Sequence, residues 1–143
     1  MRIIWIMSRP LLGTLGTPKQ NHTGSWVDAA FDGLKDIEDV EIHAIYMAKG
    51  CQELIEHVGR HFVYKLPKEQ YCNLNKLESW KKLESCIQPD LMMVWGSEQG
   101  VALPPVTALN DIPRVVYIQG LLNNIVVNFN GGLTALELSL IHI

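Results

Sequence analysis

The chain has 143 residues, 48% of them hydrophobic and 19% charged, with a formal net charge of -3. That length and apolar share are enough for one layered core and exclude a disordered tail. With Lys+Arg 12 against Asp+Glu 15 there is no basic excess to replace phosphate counterions, so a general nucleic-acid binder is excluded as well.

Cys51, Cys72 and Cys86 are odd in number and form no C-x-x-C pair. They predict reduced thiols in a cytosolic protein rather than a disulfide framework or a zinc knuckle. The apolar start, Met1 to Met7, stops at Ser8-Arg9-Pro10, too early for the hydrophobic region of a signal peptide. Residues 115–136 carry no charge and are long enough to span a bilayer. They also contain Gln119, Asn123, Asn124, Asn128 and Asn130, whose amides are costly in lipid, so no membrane span is predicted. Asn21-His22-Thr23 is a formal glycosylation sequon with no secretory signal before it.

In chain order, Arg2 to Met7 is a β-branched and aromatic run that predicts a buried strand. Residues 8–23, with two prolines and two glycines, predict a long irregular loop. Ser25-x-x-Asp28 reads as a helix start, and Val27, Ala30, Phe31 and Leu34 give that helix an apolar face up to Lys35. Val40 to Met47 and His61 to Leu66 predict the second and third strands. Leu74, Leu77, Trp80, Leu83 and Ile87 mark one face of a helix over 73–87, closed by Pro89-Asp90. Leu91 to Trp95 is the next strand, 98–110 a shorter helical segment containing Pro104-Pro105, and Arg114 to Ile118 the fifth strand. Apolar strands alternating with helices predict an α/β fold: a Rossmann-like parallel sheet with helices on both faces.

In such a sheet ligands sit beyond the carboxyl ends of the strands. Three segments meet that edge with small or polar residues: the loop into Gly24-Ser25-Trp26, the turn Gly96-Ser97-Glu98, and Gln119-Gly120. At the first, a helix amino terminus offers unpaired N–H groups to an anion. Its glycines fit neither G-x-G-x-x-G nor the P-loop, so a flexible turn stands beside a phosphate cradle. Glu98 also fits an acidic helix start, and Gln119 a surface amide. His57 and His61 have a zinc-like i,i+4 spacing, but Gly59 lies between them and there is no H-E-x-x-H, so a solvated turn is expected and no metal site.

At these same segments the chain resembles the amino-terminal domain of a family-four-type glycosyltransferase with the GT-B fold, in which two Rossmann-like domains face each other across a cleft. The resemblance runs through Arg2-Ile3-Ile4-Trp5-Ile6, the loop into Gly24-Ser25-Trp26-Val27-Asp28-Ala29, Pro89 to Glu98, and Ile112 to Leu121. It covers the chain up to about Thr134, carried by the order and spacing of these segments. It implies a cytoplasmic transferase of polysaccharide or glycoconjugate assembly. Such an enzyme moves a sugar from a nucleotide-diphosphate donor to a glycan or lipid-linked acceptor, with retention and without a bound cofactor or metal. Many relatives work at the inner face of the membrane, although no basic amphipathic helix argues for it here.

By the same resemblance, Gly24 and Ser25 face the donor diphosphate, with Ser25 in place of the second of two glycines common in relatives. Trp26, Glu98, Gln119 and Gly120 face the sugar or the acceptor. Gln119 stands where many relatives carry a histidine, and an amide cannot take a proton, so general-base chemistry at that residue is excluded. No catalytic residue is assigned.

A GT-B enzyme also needs a carboxyl-terminal domain, which nothing after Gly132 can supply. Leu138-Ser139-Leu140-Ile141-His142-Ile143 is what CTG TCT CTT ATA CAC ATC encodes, a string resembling the transposase mosaic-end adapter of sequencing libraries. The expected organisation is therefore an acceptor-side domain over 1–137 and a non-native tail over 138–143, inactive without its partner domain. Three alternatives are an inactive glycosyltransferase-like protein, a free-standing nucleotide- or flavin-binding α/β module, and a structural α/β domain whose glycines are only turns.

Overall fold

The computed structural model describes residues 1–16, 26–96 and 100–117. Their frame is a six-stranded sheet with helices on both faces. The strands are β1 (Arg2–Met7), β2 (Glu41–Ala48), β3 (Leu54–Val58), β4 (His61–Pro67), β5 (Leu91–Trp95) and β6 (Arg114–Tyr117). They lie in the order β3-β4-β2-β1-β5-β6. All neighbouring pairs are parallel except β3 with β4. Without β3, the parallel strands run third, second, first, fourth, fifth, so the winding direction reverses between β1 and β5, as in doubly wound sheets.

Strand alternation sends the two sets of side chains to different cores. Trp5, Ile42, Ala44 and Val63 meet Val27 and Phe31 of α1 (Trp26–Leu34) on one face. Ile4, Ile6, Ile45, Leu66 and Met92 face the other side. There they meet Trp80 and Ile87 of α3 (Glu78–Ile87), with Ala108 of α4 (Leu103–Ala108) in the same core. A one-turn helix, α2 (Lys68–Tyr71), leads from β4 toward α3. Trp80 is fully buried, and its indole N–H donates to the Tyr71 carbonyl at 2.8 Å, so this large side chain buries no orphaned donor.

Several element ends follow directly from residue chemistry. Gln88 takes the left-handed conformation (φ 52°) after α3, and Pro89 prevents continuation. Pro104 and Pro105 fall in the first turn of α4, where the backbone N–H groups have no helical partner to lose. The helix expected over 73–87 is divided: Leu74–Lys76 form a 3-10 turn capped by the Asn73 side chain, and the α-helix starts at Glu78. The helix expected over 98–110 is confined, within the described residues, to α4.

Two expectations need correction. The sheet is mixed rather than wholly parallel, because β3 was not anticipated. Leu54–Val58 interrupts its apolar residues with Glu56 and His57, as a half-exposed edge strand does. It returns into β4 through Gly59-Arg60, with positive φ at Gly59 only, the pattern of a type II′ hairpin. His61 is also no solvated turn residue. It is 2% exposed; its Nδ1 accepts from the Ile42 N–H at 3.0 Å, and its Nε2–H donates to the Lys35 carbonyl at 2.8 Å.

His57 and His61 sit on opposite faces of the sheet. His57 pairs with Phe62 and touches its ring, whereas His61 packs edge-on against Phe31 of α1. They cannot share a metal ion. Among the described residues no helix is long and apolar enough to cross a membrane.

Candidate functional site

The reversal between β1 and β5 opens a cleft of about 320 Å³ at the carboxyl ends of these strands. Met7, Ser8 and Arg9 form its side at the end of β1, Trp95 ends β5, and Trp26 and Val27 begin α1. The sequence positions each group for a simple reason. β1 ends at Ser8-Arg9-Pro10, and α1 returns along the face that buries Val27 and Phe31, which brings its first turn over the strand ends. Gly96 follows Trp95 with φ +88°, a conformation that favours glycine, and its N–H extends the ladder to the Tyr117 carbonyl at 3.0 Å.

Four aromatic rings follow one another from the core out to the edge of the cleft. Trp5 and Trp95 are 5.0 Å apart, Trp95 and Tyr117 5.4 Å, and Tyr117 and Trp26 4.4 Å, the last pair edge to face at 82°. The inner pair is buried. The outer pair is open, Trp26 at 41% and Tyr117 at 42% exposure. Each ring of this nearly perpendicular pair leaves part of its surface open, and an open aromatic face suits a ring-shaped ligand.

The polar groups of the cleft are mainly donors. Among the described residues the indole N–H groups of Trp95 and of the core residue Trp5 are buried without a hydrogen-bond partner. A buried unpaired donor of this kind costs about 1–3 kcal/mol. The Arg9 guanidinium is exposed and 3.9 Å from Asp28, whose other oxygen accepts from the Leu12 N–H at 2.8 Å. Asp28 thereby fastens the chain after β1 to the first turn of α1, where an acid also suits the helix dipole.

Of the residues expected to form the site, Trp26 is described and lies at the cleft. Gly24, Ser25, Glu98, Gln119 and Gly120 lie outside the described residues. Arg9, Trp95 and Tyr117 were not anticipated. Trp95 and Tyr117 carried a usable signal, since each ends its strand at the ligand-bearing edge. Among the described residues no three His, Cys, Asp or Glu side chains converge as a metal site.

Comparison with known proteins gives no match: no family model matches the chain, and neither a curated protein nor a solved structure does.

Proposed function

We propose that the chain is the acceptor-side, Rossmann-like half of a retaining GT-B glycosyltransferase of the family-four type. The observation that carries this reading is the cleft at the β1/β5 reversal, lined by Ser8, Arg9, Trp26 and Trp95, with the open Trp26–Tyr117 pair beside it. Oxygen-rich rings suit this combination: an open aromatic face for the ring, and the donors of Ser8 and Arg9 for its oxygens.

In this account the open faces of Trp26 and Tyr117 hold a sugar ring of the acceptor or of the transferred residue. Gly24 and Ser25, at the approach to α1, face the diphosphate of the donor, and Arg9 adds positive charge nearby. Donors fixed in advance at the leaving group help most as its negative charge grows. The acceptor oxygen then bonds to the anomeric carbon as the bond to the diphosphate breaks, and the acceptor's hydroxyl proton passes to the departing diphosphate oxygen. Glu98, Gln119 and Gly120 complete the sugar-facing side. Nucleotide contacts and the second wall of the cleft belong to a carboxyl-terminal domain, without which water is not excluded and the reactants are not aligned.

The test is titration of the chain with nucleotide-diphosphate sugars and with simple methyl glycosides, followed by tryptophan fluorescence. The account predicts weak, saturable changes with sugar-bearing ligands that Trp26→Ala removes, and no donor-dependent turnover. Tight binding of a bare nucleotide or a flavin would instead mark a free-standing binding module.

A further inference from the structure

A second polar assembly lies at the opposite end of the sheet, where Arg2 begins β1 and Glu41 begins β2. His43 is 5% exposed and joins two partners: its Nε2 is 2.8 Å from Glu41 Oε1, and its Nδ1 is 2.8 Å from the Tyr64 hydroxyl. An ionised carboxylate only accepts, so Nε2 carries the hydrogen and Nδ1 must accept from the Tyr64 O–H. The phenol proton is thus committed to His43, and the Tyr64 oxygen keeps only accepting capacity toward its surroundings. Phe62 stacks on the His43 ring, centroids 4.8 Å apart and planes at 8°, which fixes the ring orientation.

These groups line a cavity of about 480 Å³. Its apolar wall is Ile55, Phe62, Leu83 and Ile87, and Cys86 stands at its edge. The topology explains the space. The chain passes from β2 to β4 through strand β3 rather than a helix, so among the described residues no helix other than α3 lines this corner of the sheet. The charges cancel: the Arg2 Nε lies 3.4 Å from Glu41, while its terminal nitrogen donates to the Ile87 carbonyl at 3.1 Å.

We infer that this cavity binds a neutral, flat, largely apolar molecule carrying one hydroxyl, of the aromatic-alcohol class, whose O–H donates to the Tyr64 oxygen. Neutrality follows from the Arg2–Glu41 pair, flatness from the Phe62 and Tyr64 rings, and the donor requirement from the direction of the Glu41–His43–Tyr64 chain. The volume is that of a small-molecule site and exceeds what one ring needs. The site is separate from the Trp26–Tyr117 cleft and stands whether or not that cleft binds sugars.

The experiment uses the full chain with 2-naphthol and 2-methoxynaphthalene, which share a shape but differ in the ability to donate. Fluorescence titration should show 2-naphthol bound about tenfold more tightly, the scale of one neutral hydrogen bond. Tyr64→Phe should erase that preference while leaving the methoxy compound's affinity unchanged. In the wild-type chain, saturating 2-naphthol should slow alkylation of Cys86 by iodoacetamide and leave Cys51 unaffected. The inference is overturned if neither compound binds, if both bind equally, if the preference survives in Tyr64→Phe, or if Cys86 is not protected.

Discussion

Trp26 opens α1 and Tyr117 closes β6, yet their rings meet edge to face with centroids 4.4 Å apart. Nothing in the local sequence of either residue requires the other. The contact exists because β1 and β5 are neighbours at the winding reversal, with β6 next to β5 and α1 returning across the same strand ends. Both rings stay about two-fifths exposed, so the pair contributes little burial and leaves surface available for a ligand.

Trp26→Ala should therefore separate binding from folding. An exposed aromatic pair is worth about 0.5–1.5 kcal/mol, and the variant's urea midpoint should fall by no more than that range implies. The fluorescence response to sugar-bearing ligands should vanish. A large loss of stability with binding retained would contradict the assignment.

Trp80 should behave in the opposite way. It is fully buried between α2 and the sheet and satisfies the Tyr71 carbonyl. Trp80→Ala should cost about 3–5 kcal/mol through cavity formation. Trp80→Phe should cost less but leave that carbonyl without its donor, at about 1–3 kcal/mol. Chemical denaturation of the two variants checks both the size and the order.

Stability should fall on mild acidification because of His43. Burial lowers its pKa below the ordinary value, and the neighbouring Arg2 and His61 act in the same direction, against the opposing pull of Glu41. Below about pH 6.5 the unfolded chain binds the proton that the folded chain still refuses. The contribution is thus complete above that pH and lost as pH falls toward the lowered folded value. Comparing urea midpoints at about pH 8 and about pH 5 checks this. His43→Leu should lower both midpoints but shrink the difference between them.

Gly59 should be the sensitive residue of the β3–β4 hairpin. Its φ of +63° is costly for most side chains, although a Cβ there would meet nothing within 4 Å. Gly59→Val should lose about 1–2 kcal/mol, and Gly59→Asn less, because asparagine tolerates that region. Equal losses would point to crowding instead of backbone strain.

The strands that build the sheet were legible because they are continuous apolar runs ended by proline or glycine, as in Leu91 to Trp95 before Gly96. β3 escaped because edge strands carry Glu56 and His57 among their apolar residues, which weakens any periodic signal. The His61 reading failed for a related reason. Gly59 did mark a turn, but the histidine two residues later has already entered β4 and is held by the Ile42 and Lys35 backbone. At the cleft, strand order was the missing information: Arg9, Trp26, Trp95 and Tyr117 are dispersed along the chain and converge only after the sheet is wound. The His43 chain did leave a trace, one polar residue inside the apolar run Ile42 to Ile45, but its partners on β4 could not be read locally.

The central claim, that this domain is one half of a two-domain glycosyltransferase, is tested most directly by reading uncut genomic DNA through the codon for Glu137 and onward. The account predicts a frame that continues into a second α/β domain with a basic pair and a late E-x7-E-type acidic motif. A genomic stop codon directly after Ile143 would contradict it and leave a free-standing domain in its place.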